Sequence, residues 1–260
     1  MSVITLTTDF GDTDHFVGVM KGVILGIAPR ASIVDITHQV SPYEIVEGAF
    51  TVAQAWRYFP KKTVHVAVVD PGVGTARRPI LVEAAGQFFV GPDNGVLSMI
   101  YGREKCKVRE IRNKRYWLRD LSNTFHGRDI FAPVAAHLSK GVKSAQMGPV
   151  IDDYLHVDLA KLERTAKHKW SGSVLKVDRF GNLITNFHVS ELPEIATRPI
   201  ALLAGVREID KRVDNFAQGS FGDPVLIVGS SGYLEVAVNQ GSAAKLLGCG
   251  AGAPMELTIY

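Results

Sequence analysis

The chain has 260 residues, 46% hydrophobic and 21% charged, with a formal net charge of +3, values ordinary for a soluble globular protein with capacity for one large or two modest domains. Its Lys and Arg residues are scattered among acidic and apolar ones, which argues against a nucleic-acid surface, and no apolar run approaches the roughly 20 residues of a membrane span. Cys106 and Cys249 stand too far apart to make a disulfide framework or a zinc site alone.

The opening MSVITLTTDFGD reaches acidic residues at once and lacks the basic and apolar regions of a signal peptide, so a cytoplasmic location is expected. Val3 to Thr7 is a β-branched run that reads as a strand. Phe16 to Ile27 carries apolar residues at helical spacing and closes on Ala28-Pro29. Ser32 to Ile36 reads as a second strand, and Pro42 to Phe59 as a helix stopped by Pro60. Val64 to Val69 has the continuous β-branched character of a strand buried on both faces, and Asp70-Pro71-Gly72-Val73-Gly74 ends it. A further helix is expected to run through Leu138. This alternation predicts an α/β domain with a mostly parallel central sheet over residues 1–165.

The composition changes after about residue 165. Short strand-like runs follow at Ser173–Val177, Leu183–Phe187, Ile200–Leu203, Val225–Val228, Tyr233–Val238 and Met255–Ile259, punctuated by Gly, Pro, Asn and Asp. They predict an all-β domain over residues 166–260, a barrel or a sandwich. The charged, Pro-free segment Asp158 to Lys169 reads as a short helix leading into a linker.

Ligands of open α/β sheets bind beyond the carboxyl ends of strands. Three acidic segments are candidates there: Thr8-Asp9-Phe10-Gly11-Asp12, Asp70 to Thr75 with Arg77 and Arg78 behind it, and Phe125-His126-Gly127-Arg128-Asp129. Each also has a plain structural reading, since an Asp after a strand often caps a helix or forms an Asx-turn. Asp-Phe-Gly lacks a kinase catalytic loop before it, and the Gly-rich turn lacks the Gly-Lys-Ser/Thr ending of a P-loop. The residues alone support a polar site of Asp, Arg and His.

Seven segments sharpen this: TTDFGDTD (Thr7 to Asp14), SPYEIVEGA (Ser41 to Ala49), VVDPGVGTARRP (Val68 to Pro79), GPDNGVL (Gly91 to Leu97), FHGRDIFAP (Phe125 to Pro133), VDRFGNLITN (Val177 to Asn186) and SSGYLEVAVNQGSA (Ser230 to Ala243). In their order they resemble the S-adenosylmethionine hydroxide adenosyltransferase family, relatives of the halogenating fluorinase and chlorinase enzymes. The resemblance implies an N-terminal α/β domain and a C-terminal β-barrel. It also implies a homotrimer with active sites between the N-terminal domain of one subunit and the C-terminal domain of the next. Carried over by residue, Asp70, Arg77 and His126 correspond to the water-activating triad and Asp9 to the carboxylate that grips the ribose diol. Asp14, Asp178 and Ser230 correspond to residues that hold the methionine moiety, Asn182 and Phe216 to those that bind adenine, and Tyr43 to an aromatic residue packed on the nucleoside. The halogenating branch lacks an Asp at the position of Asp70 and has Ser at that of Gly127, so the chain resembles the branch that uses water.

The implied reaction is hydrolysis of S-adenosyl-L-methionine to adenosine and L-methionine by in-line attack at the ribose 5′ carbon. Methionine leaves as a neutral thioether, so no general acid is needed. Holding one water in line recovers on the order of 7–11 kcal/mol of barrier in well-oriented systems. Asp70 and His126 are both candidate proton acceptors, the imidazole having an ordinary pKa of about 6.5. A carboxylate, an acceptor only, suits the two ribose hydroxyls. No step calls for a metal or an organic cofactor. Two other functions fit the residues: a metal-dependent phosphohydrolase using Asp9, Asp70, Asp93 and His126 as ligands, and a non-catalytic nucleoside-binding module.

Overall fold

The protein is described by a computed structural model covering residues 2–102, 104–157 and 161–260. It divides into two compact units, residues 1–158 and 159–260. In the first, β1 (Val3–Thr8), α1 (Phe16–Ile27), β2 (Ser32–Thr37), α2 (Ile45–Ala55) and β3 (Val64–Val68) are followed by the strands β4 (Pro79–Ala84) and β5 (Gln87–Pro92). A short helix α3 (Ser98–Tyr101), β6 (Cys106–Glu110) and α4 (Ala132–Ser139) complete it. The sheet order is β2-β1-β3-β5-β4-β6. β1 pairs parallel with β2 and β3, and β3 with β5, whereas β4 runs antiparallel to both β5 and β6. The sheet is therefore mixed and mostly parallel.

α1 keeps the limits its sequence pattern predicts because Val17, Met20 and Ile24, at helical spacing, are its buried residues. They join Ile4, Leu6, Val64, Val66 and the α4 residues Val134 and Ala135 in one apolar core. The second helix starts at Ile45 rather than at Pro42, and its end tightens into a 3₁₀ turn over Trp56–Tyr58. Residues alternating with that core are polar but matched. Thr5 Oγ1 donates to His65 Nδ1 (2.8 Å), and His65 Nε2 donates to Gln87 Oε1 (2.5 Å).

The second unit is almost wholly antiparallel: β7 (Glu163–Ala166), β8 (Lys169–Val177), β9 (Leu183–His188), β10 (Ile200–Ala204), β11 (Arg207–Ile209), β12 (Pro224–Val228), β13 (Tyr233–Val238) and β14 (Pro254–Ile259). The order β11-β10-β14-β8-β9-β13-β12, with β7 beside β8, gives a nearly closed, barrel-like sheet. Arg212, just beyond β11, bridges to Leu226 of β12. The helix expected from Asp158 to Lys169 is not found: residues 158–160 lie outside the described ones, and Glu163–Ala166 is a strand paired with β8. Being an edge strand exposed along its length, β7 has no apolar alternation by which to be read. Short helices at Glu194–Thr197 and Ala243–Leu247 also occur where the sequence suggests only strands and turns.

Two features of the first unit bear on stability. Burial lowers the pKa of His65 from 6.5 to about 4, with the hydrogen bond to Gln87 opposing it. As pH falls, the unfolded imidazole protonates first, so this stabilisation is complete above 6.5 and is lost on the way down to 4, about 3 kcal/mol in all. Denaturation at pH 7.5 and pH 5 should cost the wild type more stability than a His65→Gln variant over that interval. Gly74, at φ +80°, lies so close to the loop before His126 that a Cβ would overlap the carbonyl oxygen of Asn123. Gly141, at φ +90°, has open space around it. Gly141→Ala should lose roughly 1 kcal/mol for its backbone conformation, and Gly74→Ala measurably more. Equal losses in urea melts would mean that the Gly74 approach is not tight.

Candidate active site

Thr8 of β1 pairs with Val68 of β3, so the chain leaves these neighbouring strands side by side and sets Asp9 and Asp70 at the carboxyl edge of the sheet. After β3 the backbone turns tightly, with Val73 N donating to Asp70 O and Thr75 N to Gly72 O (both 3.2 Å). This turn doubles Arg77 back onto Asp70. Arg77 Nε donates to Asp70 Oδ1 at 3.0 Å and Nη2 to Oδ2, a bidentate pair. Both side chains are nearly sealed from solvent, 8% exposed for Arg77 and 4% for Asp70.

The same Nη2 lies 2.8 Å from His126 Nδ1. A guanidinium has donors only, so Nδ1 must be the acceptor, and the proton of the neutral imidazole sits on Nε2. Burial, and then the Arg77 charge, lower the His126 pKa from 6.5, while Asp70, Asp129 and the backbone of Ser122 pull the other way. At neutral pH the ring is therefore uncharged and its tautomer is dictated by Arg77. Arg77 Nη1 is buried without a hydrogen-bond partner among the described residues, a donor held ready for something else.

His126 stands at the start of a π-helical turn, Gly127–Phe131, that runs into α4. Such turns are frequent at functional sites. Asp129, fully buried, accepts from Ser122 N (2.7 Å) and Arg128 Nε (2.6 Å) and so pins the loop from which His126 projects. The Phe10, Phe16 and Phe125 rings pack against one another, tilted or edge-on, at 5.2 to 5.9 Å, tying the Asp9 loop to the same segment.

Asp9 Oδ2 accepts the backbone N–H of Tyr43 at 2.9 Å. Tyr43 adopts φ +69° and is 71% exposed, so its ring stands out from the surface. Asp14 is exposed on the turn before α1. Arg78 turns away from the triad to hold Asp93 (2.8 Å) and Asp153 (2.7 Å). Asp93 is thus engaged elsewhere, and the described residues contain no group of three His, Cys, Asp or Glu able to hold a metal ion.

In the second unit, Asp178 organises the loop after β8. Its Oδ1 accepts Phe180 N and Asn182 N, and its Oδ2 accepts Asn182 Nδ2, all at 2.9 Å. Asn182 is buried, whereas Ser230 and Phe216 are exposed, on separate turns. Two buried polar residues have no role implied by the sequence motifs. His38, buried beneath β1, binds Thr8 Oγ1 through Nδ1 (2.8 Å) and faces Asp35 with Nε2 (3.1 Å), which anchors the residue before Asp9. Glu235 is a carboxylate in the middle of β13 with only 8% exposure. The one trace of it in the sequence is a single acid inside the apolar run YLEVAV.

The chain matches the model of the SAM hydroxide adenosyltransferase N-terminal domain over residues 4–148 and that of the SAM hydroxide adenosyltransferase C-terminal domain over residues 172–256. It is 40% identical to a Salinispora tropica protein named (R)-S-adenosyl-L-methionine hydrolase, across 98% of this chain and 97% of that one. A Methanocaldococcus jannaschii protein of the same name is 36% identical, across 95% and 92%, and an Actinoplanes protein named fluorinase is 30% identical, across 98% and 97%. The crystal structure of an uncharacterized conserved protein from Thermotoga maritima is similar with a TM-score of 0.90 and 35% identity, covering 99% of this chain and all 100% of that one. The chain belongs to the SAM hydroxide adenosyltransferase family.

Proposed function

We propose that the protein hydrolyses S-adenosyl-L-methionine to adenosine and L-methionine, with Asp70, Arg77 and His126 activating the attacking water. The observation that carries this reading is the contact set in which one guanidinium grips the Asp70 carboxylate and the His126 ring together. The names of the relatives at 36–40% identity support it.

In the reaction the water oxygen forms a bond to the ribose 5′ carbon as the carbon–sulfur bond breaks. The bonding pair returns to sulfur, which leaves as the neutral thioether of methionine. With His126 Nδ1 already accepting from Arg77, the ring can offer only its Nε2–H to the nucleophile, and the proton goes to Asp70. Asp70 keeps lone pairs that Arg77 does not use, and the unpaired Nη1 of Arg77 supplies a donor for developing hydroxide. Asp9, with one carboxylate oxygen facing Tyr43 N, takes the ribose diol through its remaining acceptor sites. Tyr43 covers the nucleoside, Asn182 and Phe216 hold adenine, and Asp14, Asp178 and Ser230 hold the amino-acid end. The assembly in this reading is a homotrimer, with sites formed between neighbouring subunits, working in the cytoplasm. No helix among the described residues is long and apolar enough to cross a membrane.

Incubation of the purified protein with the substrate, followed by chromatography, should yield adenosine and methionine in equal amounts, and a chelator should leave the rate unchanged. Asp70→Asn should lower kcat by about 10²–10⁴-fold; a loss smaller than tenfold would remove Asp70 from the proton's path. Protonating His126 abolishes the Nδ1 acceptor and sets a second cation beside Arg77. At saturating substrate, kcat should therefore be flat above neutrality and fall in acid with a midpoint below 6.5, the direction in which burial and Arg77 move this ring. A kcat still rising through pH 7 would contradict the assignment.

A further inference from the structure

Resting on that reading of the second unit, we propose that Glu235 is a second carboxylate of the amino-acid subsite and takes the substrate's ammonium group jointly with Asp178. Asp178 alone is poorly supplied for this task. Three of its roughly four acceptor sites are occupied by Phe180 N, Asn182 N and Asn182 Nδ2. Its charge chiefly holds the adenine-side loop in shape.

Glu235 has the opposite character. It stands on β13 between Ile227 of β12 and Ile184 of β9 and is more than nine-tenths buried. Its carboxyl group lies directly against Gly229, where any Cβ would overlap Oε1. Gly229 opens the turn that carries Ser230, closed by Gly229 N to Tyr233 O and Gly232 N to Gly229 O (both 2.9 Å). The carboxyl group thus adjoins the turn of Ser230 and feels the charge of Asp178, two residues assigned to the amino-acid end of the substrate.

The groups on the neighbouring strands leave it a poor place for a negative charge. Burial first, and then the Asp178 charge, push the Glu235 pKa up from 4.5 to about 7. Lys176 of β8 stands in the same cross-strand row beyond Ile184 and does not offset this shift. His188 of β9 directs its ring nitrogens to Ser190 Oγ and Ser231 O. Without substrate the group is therefore largely protonated below pH 7. A bound ammonium stabilises the carboxylate, and the displaced proton passes to solvent. Such a group makes folding costlier without ligand: between pH 4.5 and 7 the unfolded chain releases a proton that the folded one retains, so stability falls as pH rises.

The test compares the full-length wild type with Glu235→Gln on two sulfoniums, S-adenosylmethionine and 5′-deoxy-5′-dimethylsulfonioadenosine, which lacks the amino-acid chain. For the wild type, KM for S-adenosylmethionine should fall about tenfold between pH 6 and pH 8. Calorimetry in buffers of different ionisation enthalpy should record close to one proton released per site at pH 6. Glu235→Gln should raise that KM about tenfold or more, flatten its pH dependence, leave kcat within about twofold, and leave KM for the truncated sulfonium unchanged. The same variant should gain more in Tm at pH 8 than at pH 5. A wild-type KM and pH profile in the variant would overturn the proposal, and so would an equal rise in KM for both sulfoniums, which marks a structural role. Should the variant fail to fold, absence of proton release from the wild type on binding overturns it instead. A wild type that binds but does not hydrolyse S-adenosylmethionine would refute the catalytic reading, whereas the subsite would still stand or fall by the proton release that calorimetry records.

Discussion

The arrangement at the carboxyl edge of the first sheet depends on the Arg77 guanidinium, which can donate hydrogen bonds but never accept them. It fixes the two groups it touches: Asp70 is held as a bidentate acceptor, and His126 must present its Nδ1 lone pair. Much of the surrounding chain serves to bring these groups together. The turn after β3 folds Arg77 back over Asp70, Gly74 lets that turn rest on Asn123, and the π-helical turn with buried Asp129 holds His126 from the other side. Each is a backbone device, which keeps the donors and acceptors aligned before any ligand arrives and so spares reorganisation later.

Elements built on a single local pattern are legible in the sequence. α1 has three buried apolar residues at helical spacing and a proline behind it, and β3 is a short β-branched run cut off by Pro and Gly. The hairpin of β4 and β5 cannot be read in the same way. Its strands lie in the sheet interior, and its antiparallel sense depends on the turn at Ala85-Gly86, both at positive φ, rather than on hydrophobic period. The edge strand β7 resembles a helix in sequence because its charged, exposed residues carry no strand signal. The triad is legible only through the matching segments and their order. Its members lie up to 56 positions apart in sequence, from Asp70 to His126, and no periodicity links them. His38 is invisible for the same reason, since its partner Thr8 is 30 residues away.

The two carboxylates Asp178 and Glu235 illustrate how a protein can hold an unfavourable group in place. Asp178 is stabilised by hydrogen bonds from its own loop, whereas Glu235 is buried beside a like charge that pushes its pKa further up. A neutral side chain in β13 would fold more easily, because desolvating a carboxylate is costly. Strain of this type persists where a ligand relieves it, and the ligand that would relieve two acids is a cation.

The charge at Asp70 and Arg77 also bears on the choice between water and halide. A halide nucleophile needs a pocket with net positive character, and Arg77 alone would provide one. Here Asp70 occupies two of the guanidinium donors and cancels most of that charge, so a second anion entering the site would face a carboxylate in a nearly dry environment. Water meets no such penalty and gains an acceptor for its proton. The packing at Gly127 agrees with this electrostatic preference. A Cβ there would sit 3.2 Å from both Met20 Sδ and a Phe125 ring carbon, so a serine would require these side chains to give way by a few tenths of an ångström. Charge and packing thus favour the same nucleophile through different residues, and converting the site to halide use would require changing both.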